Sequence, residues 1–315
     1  LQRLAEHLQA PVIVTAEGKG AISDRHYLSL GSLRNHDDPF EKPLVRFLQD
    51  HSLCDVVLAV GTRLATPSML EGKQVVQIDI DENEIGRNYD QTFGIVGDAR
   101  ASLEEMQRII SATVPARPSH VKELDKIKLQ REDTLHQVEP QASLVRAIRA
   151  AIPDDGVFVP DMTQVGYYSH VHYPVYKPRT YMTSSYFGNL GFAYPLALGA
   201  KVAVPDKAVV SASGDGGFLF NSQELATAVQ HGINVVAIVF NDNAFGNVLR
   251  DQTTMFDGRT LGAKLHNPDF VKLAQAYGAR GVRVHDAAKL ESAIREALAV
   301  DAPTIIEVPV SPMAV

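Results

Sequence analysis

Two acidic side chains mark the stretch GDGGFLFNSQELATAVQHGINVVAIVFNDNAFG, which runs from Gly214 to Gly246. Asp215 sits among glycines where the apolar run AVVSASG stops, and Asp242 sits between two asparagines where the next run, NVVAIVF, stops. Both runs have the length and β-branched content of buried strands. Between them Leu225, Ala228 and Val229 fall at helical spacing, and Asn221 with Glu224 three residues on reads as a capping box. One such strand–helix–strand crossover delivers both strand ends to the same edge of a parallel sheet. That edge is where open parallel sheets bind ligands. Two carboxylates with exposed carbonyls beside them form a hard oxygen set suited to Mg2+ or Ca2+, and Mg2+ completes its shell with water and phosphate oxygens. Gly214, Gly216 and Gly217 let the backbone turn sharply and bring peptide N–H groups close to a ligand. Gly-Asp-Gly alone is a common turn and Asn-Asp-Asn a common cap. Their pairing at the ends of two successive strands is what points to a cation-bridged phosphate site.

The elements that must hold these ends apart and aligned recur along the chain. PVIVT, DVVLAVG and VVQIDI alternate with helical periodicity in the first region, which closes with IVGDARASLEEMQRII. GVFVPD, TYMTSS, AVVSASG, NVVAIVFN and TIIEVPV do so in the second, separated by helices such as FAYPLALGAKVA, SQELATAVQHG, DFVKLAQAYG and AKLESAIREALA. This alternation predicts an α/β protein with two doubly wound, Rossmann-like parallel-sheet domains. The first domain is expected over residues 1–113 and the second over 140–315, opened by Pro140 and the helix SLVRAIRAAI. The proline-containing, charge-dense run 114–139 reads as a linker with some helix. The opening LQRLAEHLQA is already an amphipathic helix, with Leu1, Leu4, Ala5 and Leu8 on one face, as expected of a domain whose beginning is cut away.

The length of 315 residues suits about two domains, and 45% apolar with 21% charged residues fits two hydrophobic cores. A formal net charge of −7 argues against nucleic acid or an anionic membrane as the main partner. No apolar run is long enough to cross a bilayer, and no signal peptide is visible. The single cysteine, Cys54, permits no internal disulfide, so a reducing, cytoplasmic setting is the expectation. Within SLCDVVLAVG it reads as a small buried apolar residue rather than a nucleophile.

At Gly214–Gly217 and Asn241–Phe245 the chain resembles thiamine diphosphate enzymes of the acetolactate synthase, pyruvate oxidase and benzoylformate decarboxylase group. Their signature is a Gly-Asp-Gly followed, at a similar distance, by Asn-Asn or Asn-Asp. SSYFGNLGFAYPLALGAKVA, NPDFVKLAQAYGA, VVQIDIDENEIGRNY and IVGDARASLEEM are similar to further segments of the same family, so the resemblance covers nearly the whole chain. It implies a thiamine diphosphate- and Mg2+-dependent decarboxylase or carboligase acting on a 2-oxo acid. It further implies Asp215, Asp242 and the Ala244 carbonyl as metal ligands, with Gly214, Gly216, Gly217 and Phe245 against the diphosphate. Leu190 would be the apolar wedge beneath the bent cofactor and Gly188 would line its pyrimidine. As structural alternatives, Leu190 could be core and Gly188 a turn.

Three departures qualify the resemblance. Asp242 stands where many members carry Asn. The chain has no tryptophan, so the one that acetolactate synthases use in substrate choice is missing from the corresponding loop, DQTTMFDGR. No segment matches the pyrimidine-binding domain, whose glutamate activates the cofactor across a subunit interface. That domain is expected either in a missing N-terminal part or on another chain, within a homodimer or tetramer. The catalytic glutamate is accordingly not among these residues. An oxidase would want FAD in the central domain, where VGTRLATPS follows a strand without a G-x-G-x-x-G, so a domain without flavin is favoured.

Readings from other classes were weighed against this one. Asp79 and Asp81 follow a strand as Asp-x-Asp, the pattern of an aspartyl-phosphate phosphohydrolase, but Asn83 stands where such enzymes want Thr or Val. A non-catalytic or split-subunit cofactor-binding module that needs a partner chain is the remaining alternative. His170, His172 and His266 receive no role.

Overall fold

The computed structural model describes residues 1–33, 42–50, 52–65, 70–135, 138–184 and 187–311. It separates into two compact units, Leu1–Gln137 and Val138–Val315. Both are α/β with parallel sheets, the Rossmann-like class expected from the alternation of strand and helix signals.

The first unit runs α1 (Gln2–Leu8), β1 (Val12–Val14), β2 (Ser29–Ser32), α2 (Lys42–Gln49), β3 (Val56–Val60), β4 (Gln74–Asp79), β5 (Thr92–Val96), α3 (Ala99–Thr113) and α4 (Val121–Leu135). β3, β4 and β5 form one parallel sheet, and β1 pairs in parallel with β2. The polar run expected to be a linker contains α4, which packs on this unit. Leu124 is buried in the same cluster as Leu30, Leu44 and Val75, and Ile127 packs against it. Arg131 donates to the carbonyls of Leu30 and Ser32 at 2.7 and 2.9 Å. The helix docks through two apolar residues and a guanidinium, too narrow a stripe to stand out from the charges around it.

The second unit runs α5 (Gln141–Ala151), β6 (Val157–Pro160), α6 (Gln164–His172), α7 (Ala193–Ala203), β7 (Val209–Gly214), α8 (Asp215–Phe220), α9 (Glu224–His231), β8 (Val236–Asn241), α10 (Gly246–Met255), α11 (Phe270–Tyr277), β9 (Arg280–Arg283), α12 (Leu290–Leu298) and β10 (Thr304–Pro309). The five strands are parallel in the order β6-β7-β8-β10-β9. Alternate residues of β8 serve two cores. Val236, Ile238 and Phe240 pack with Ile148 of α5 and Ile294 of α12, while Ala237 and Val239 pack with Leu198 of α7, Leu225 of α9 and Phe270 of α11. A strand buried on both faces has no solvent side, which is why NVVAIVF is an unbroken apolar run. Each large side chain so buried contributes about 1.5–3 kcal/mol, and Ile238→Ala would cost about 2–5 kcal/mol.

One expected strand is reduced to a contact. In TYMTSS, Tyr181 makes a single parallel bridge to Phe158, and no strand is formed over residues 180–184; Ser185 lies outside the described residues. Among the described residues no helix is long and apolar enough to cross a membrane.

Candidate functional site

β7 and β8 are hydrogen-bonded neighbours, and their register sets Gly214 opposite Phe240. The next residues, Asp215 and Asn241, therefore leave the sheet side by side, with Asp242 one step beyond. This is the convergence expected from a single crossover.

Asp215 is 1% exposed. Its Oδ1 accepts the Gly216 N–H at 2.8 Å and its Oδ2 accepts Nδ2 of Asn267 at 2.6 Å. Burial raises the pKa of this carboxyl above the usual range, against the pull of those hydrogen bonds. Asp242 is less buried, and its Oδ1 accepts the Ala244 N–H at 3.1 Å. Its pKa is pushed up to about 6, first by burial and then by the negative charge of Asp215. Two carboxylates that oppose each other's ionisation share one site, and a bound cation would relieve both the repulsion and the desolvation. Among the described residues no three His, Cys, Asp or Glu side chains are grouped to hold a metal. A cation here would take two carboxylates and backbone carbonyls, an all-oxygen set that fits Mg2+ or Ca2+ and suits softer metals poorly.

The glycines act differently from the expectation of a sharp turn. Gly214 precedes α8 as its N-cap, Gly216 and Gly217 lie within that helix, and none of the three has positive φ. What Gly216 provides is space. A Cβ there would stand 2.3 Å from Cε1 of Phe245 and 3.1 Å from Cδ1 of Leu265. Phe245 thus packs directly on the α8 backbone, and Ala244 beside it is buried. Leu265 N–H donates to the Asn243 carbonyl and Phe245 N–H to the Ala263 carbonyl, each at 2.8 Å, fixing the loop after β8. The capping box is not formed. Asn221 instead donates its side-chain amide to the Gly191 carbonyl at 2.7 Å, and α9 starts after Gln223.

That bond ties the segment carrying Gly188 and Leu190 to α8. Gly191 has φ +80°, and a Cβ on it would meet Cβ of Phe220 at 2.7 Å and the Gly217 carbonyl at 2.9 Å. Leu190 is 37% exposed, so it is not a core residue, and Gly188 takes φ +64°. The Gly191 N–H points to the carboxylate of Asp161, at 3.1 and 3.3 Å from its two oxygens. Asp161 also accepts the Met162 N–H at 2.7 Å and the Ser213 hydroxyl at 3.3 Å. It is buried, and its carboxyl is raised by that burial. Asp161 closes β6 as Asp215 closes β7, so the strand-end argument could have found it. Asn267 gave no such signal, because Asn-Pro-Asp before a helix reads as a cap.

His170 packs edge-on to the rings of Tyr167 and Tyr181, His172 packs on Tyr168, and His266 is exposed. The stretch DQTTM, read as loop, continues α10. In the first unit, Asp79 accepts the Asp81 N–H, and Asp81 accepts both the backbone and side-chain amides of Asn83. Cys54 is half-buried, and burial raises its thiol pKa, which disfavours the reactive thiolate. Of VGTRLATPS, residues 66–68 lie outside the described residues.

A parallel α/β unit with paired carboxylates and glycine-lined backbone at adjacent strand ends offers the oxygen ligands and close backbone approach that a cation-bridged phosphate would need. Residues 1–106 match the central domain of the thiamine pyrophosphate enzymes, and residues 161–308 match their C-terminal TPP binding domain. The chain belongs to this family. A probable acetolactate synthase large subunit of Methanococcus aeolicus is 30% identical over 99% of the chain and 55% of its own length. A sulfoacetaldehyde acetyltransferase of Castellaniella defragrans is 28% identical over 94% of the chain and 54% of its own length. A probable 2-ketoarginine decarboxylase of Pseudomonas aeruginosa is 29% identical over 98% of the chain and 55% of its own length. The chain thus spans about half the length of the relatives it matches.

Proposed function

We propose that this chain binds thiamine diphosphate through a divalent cation and forms the diphosphate-binding part of an enzyme acting on 2-oxo acids. The observation that carries the reading is the meeting of Asp215 and Asp242 at the ends of adjacent parallel strands, close enough that one charge raises the other's pKa. In this reading the two carboxylates and the Ala244 carbonyl would hold Mg2+, which would supply positive charge for the diphosphate. Gly214, Gly216, Gly217 and Phe245 lie against the phosphates through their backbones. The exposed Leu190 supports the cofactor from below, beside Gly188.

When bound, thiamine diphosphate supplies carbanion stabilisation at the carbon next to the departing carboxylate. The residues of this chain fix the diphosphate end, set the cation's position through two oriented carboxylates, and surround it with buried backbone. Decarboxylation and carboligation both use that anchoring. The relatives' names divide between acetolactate synthase, acetyltransferase and decarboxylase, and the choice rests on residues outside the anchor. The activating pyrimidine domain would come from the rest of the protein or from another chain in a dimer or tetramer.

Calorimetric titration with thiamine diphosphate tests the reading. Binding is expected with Mg2+ or Ca2+ present and is expected to vanish in EDTA. Equal affinity in the two conditions would remove the cation from the account. Binding that depends on the cation, but without turnover of a 2-oxo acid panel by the full-length protein, would leave a cofactor-binding module.

A further inference from the structure

Asp215 is held by a chain of hydrogen bonds whose direction is fixed from its far end. Glu307, near the end of β10, is 3% exposed, and both of its carboxyl oxygens act as acceptors. Its Oε2 receives Nε of Arg283 at 2.7 Å, and its Oε1 receives Nδ2 of Asn241 at 2.8 Å. With the Asn241 nitrogen thus committed, its Oδ1 must face the other way, where it accepts Nδ2 of Asn267 at 2.8 Å and the Asn243 N–H at 3.2 Å. That sets the Asn267 amide in turn, and the same nitrogen donates its second hydrogen to Oδ2 of Asp215 at 2.6 Å. A flipped Asn267 would aim its oxygen at two acceptors. The circuit closes through Arg283, which also pairs at 2.8 Å with Asp269, two residues beyond Asn267. Residues at or near the ends of four strands, β7, β8, β9 and β10, and the segment before α11 are therefore locked together by groups that have one workable orientation each.

We infer that Asn267, oriented by Asn241 and Glu307, is a positioning residue that fixes the rotation of the Asp215 carboxylate for the cation. This inference rests on the cofactor reading above. Gly216 N–H and Asn267 Nδ2 donate one to each Asp215 oxygen, and the Asn243 and Ala244 backbone amides also act on this carboxylate. The carboxylate is thereby held in one rotation. Mg2+ demands near-ideal octahedral geometry, so it gains from a ligand that cannot rotate. Hydrogen-bond partners of metal ligands typically change metal affinity by about 10–100-fold when removed. The Oδ1 atom of Asn267 is buried and has no hydrogen-bond partner among the described residues, which leaves an acceptor position for a water or ligand.

The test measures thiamine diphosphate binding by the full-length protein across a Mg2+ series, together with the electron paramagnetic resonance spectrum of bound Mn2+. For Asn267→Ala the half-saturating Mg2+ concentration is expected to rise about 10–100-fold. Thiamine diphosphate affinity should recover at saturating Mg2+, and the Mn2+ spectrum should change. Glu307→Gln keeps the shape but offers one acceptor oxygen where two donors arrive, and should shift the Mg2+ requirement in the same direction by a smaller factor. If Asn267→Ala fails to fold, Glu307→Gln decides by the same readout. An unchanged Mg2+ requirement and Mn2+ spectrum, with only the melting temperature lowered, would overturn the positioning role. Wild-type binding that ignores Mg2+ altogether would instead sink the cofactor reading itself.

Discussion

Asp79 and Asp81 follow one parallel strand, β4, and Asp215 and Asp242 follow two, β7 and β8; the pairs look alike as acids at strand ends but have opposite fates. Asp79 and Asp81 satisfy their oxygens within their own loop, and Asp81 is exposed, its pKa lowered by the Asn83 backbone and side-chain hydrogen bonds. Asp215 is buried, Asp242 is pushed up to about 6 beside it, and although Gly216 and Ala244 bond the two acids locally, one Asp215 oxygen is held by Asn267, 52 residues along the chain. In the proposed reading, a strand-end carboxylate can serve a cation when a neighbouring strand contributes a second one and burial disfavours the charge of both. One loop can tie up its own acids at no electrostatic cost. Two strands brought together by a sheet cannot, and the repulsion left over is what a cation can relieve.

The contrast should break most sharply at Asp215. Replacing it with Ala is expected to weaken metal-dependent thiamine diphosphate binding by more than about 100-fold, beyond the range seen for outer partners; calorimetry that finds less than tenfold would place the cation elsewhere. Gly216→Ala comes next. Its added Cβ would fall 2.3 Å from the Phe245 ring, so the ring and the loop after β8 must move, with a stability loss of about 1–3 kcal/mol in denaturant titration. An unchanged midpoint would show that Phe245 has room to give.

Asp242→Asn sharpens the comparison with a smaller effect, because the amide keeps an oxygen for the cation while removing the charge. Thiamine diphosphate affinity at saturating Mg2+ should stay within about tenfold. Its pH signature is clearer. A carboxyl whose pKa is higher folded than unfolded binds more protons in the folded state, so stability falls as pH rises between the two values. In EDTA the wild-type protein should therefore lose stability from about pH 4 to about pH 6, the window set by the raised Asp242 carboxyl. Asp242→Asn should flatten that part of the profile. Parallel profiles for the two proteins would mean that the Asp242 charge is relieved some other way. The smallest effect belongs to Asp81→Ala, which removes a cap worth about 1 kcal/mol and should leave cofactor binding untouched. A loss of phosphatase activity in that variant would revive the aspartyl-phosphate alternative.

Legibility followed burial. The strands of the second unit that lie between two cores, β7, β8 and β10, are mostly apolar and buried along nearly their whole length, and their places in the chain match the runs AVVSASG, NVVAIVFN and TIIEVPV. β2 and β9 were not foreseen. SLGS is short and RGVR carries two charges, so neither shows a strand pattern, and each is recruited by a neighbour, β1 and β10 respectively. α4 was hidden by its narrow apolar stripe. At the site, the two acids were visible because glycines and asparagines bracket them, whereas Asn267 and Glu307 have meaning only through partners such as Asp215 and Asn241, 52 and 66 residues away.

The sequence by itself determined the alternation that makes both units α/β, the strand that carries each carboxylate, and the crossover that returns Asp242 beside Asp215, because these depend on local periodicity and on the handedness of connections. Only the tertiary structure decided how those carboxylates are held. The rotation of Asp215, the use of Gly216 as space rather than as a turn, and the diversion of Asn221 from a cap to a brace all depend on which side chains arrive from other elements. Hydrogen-bond direction and steric room are properties of neighbours in space, and nothing in a residue's own stretch of chain specifies them.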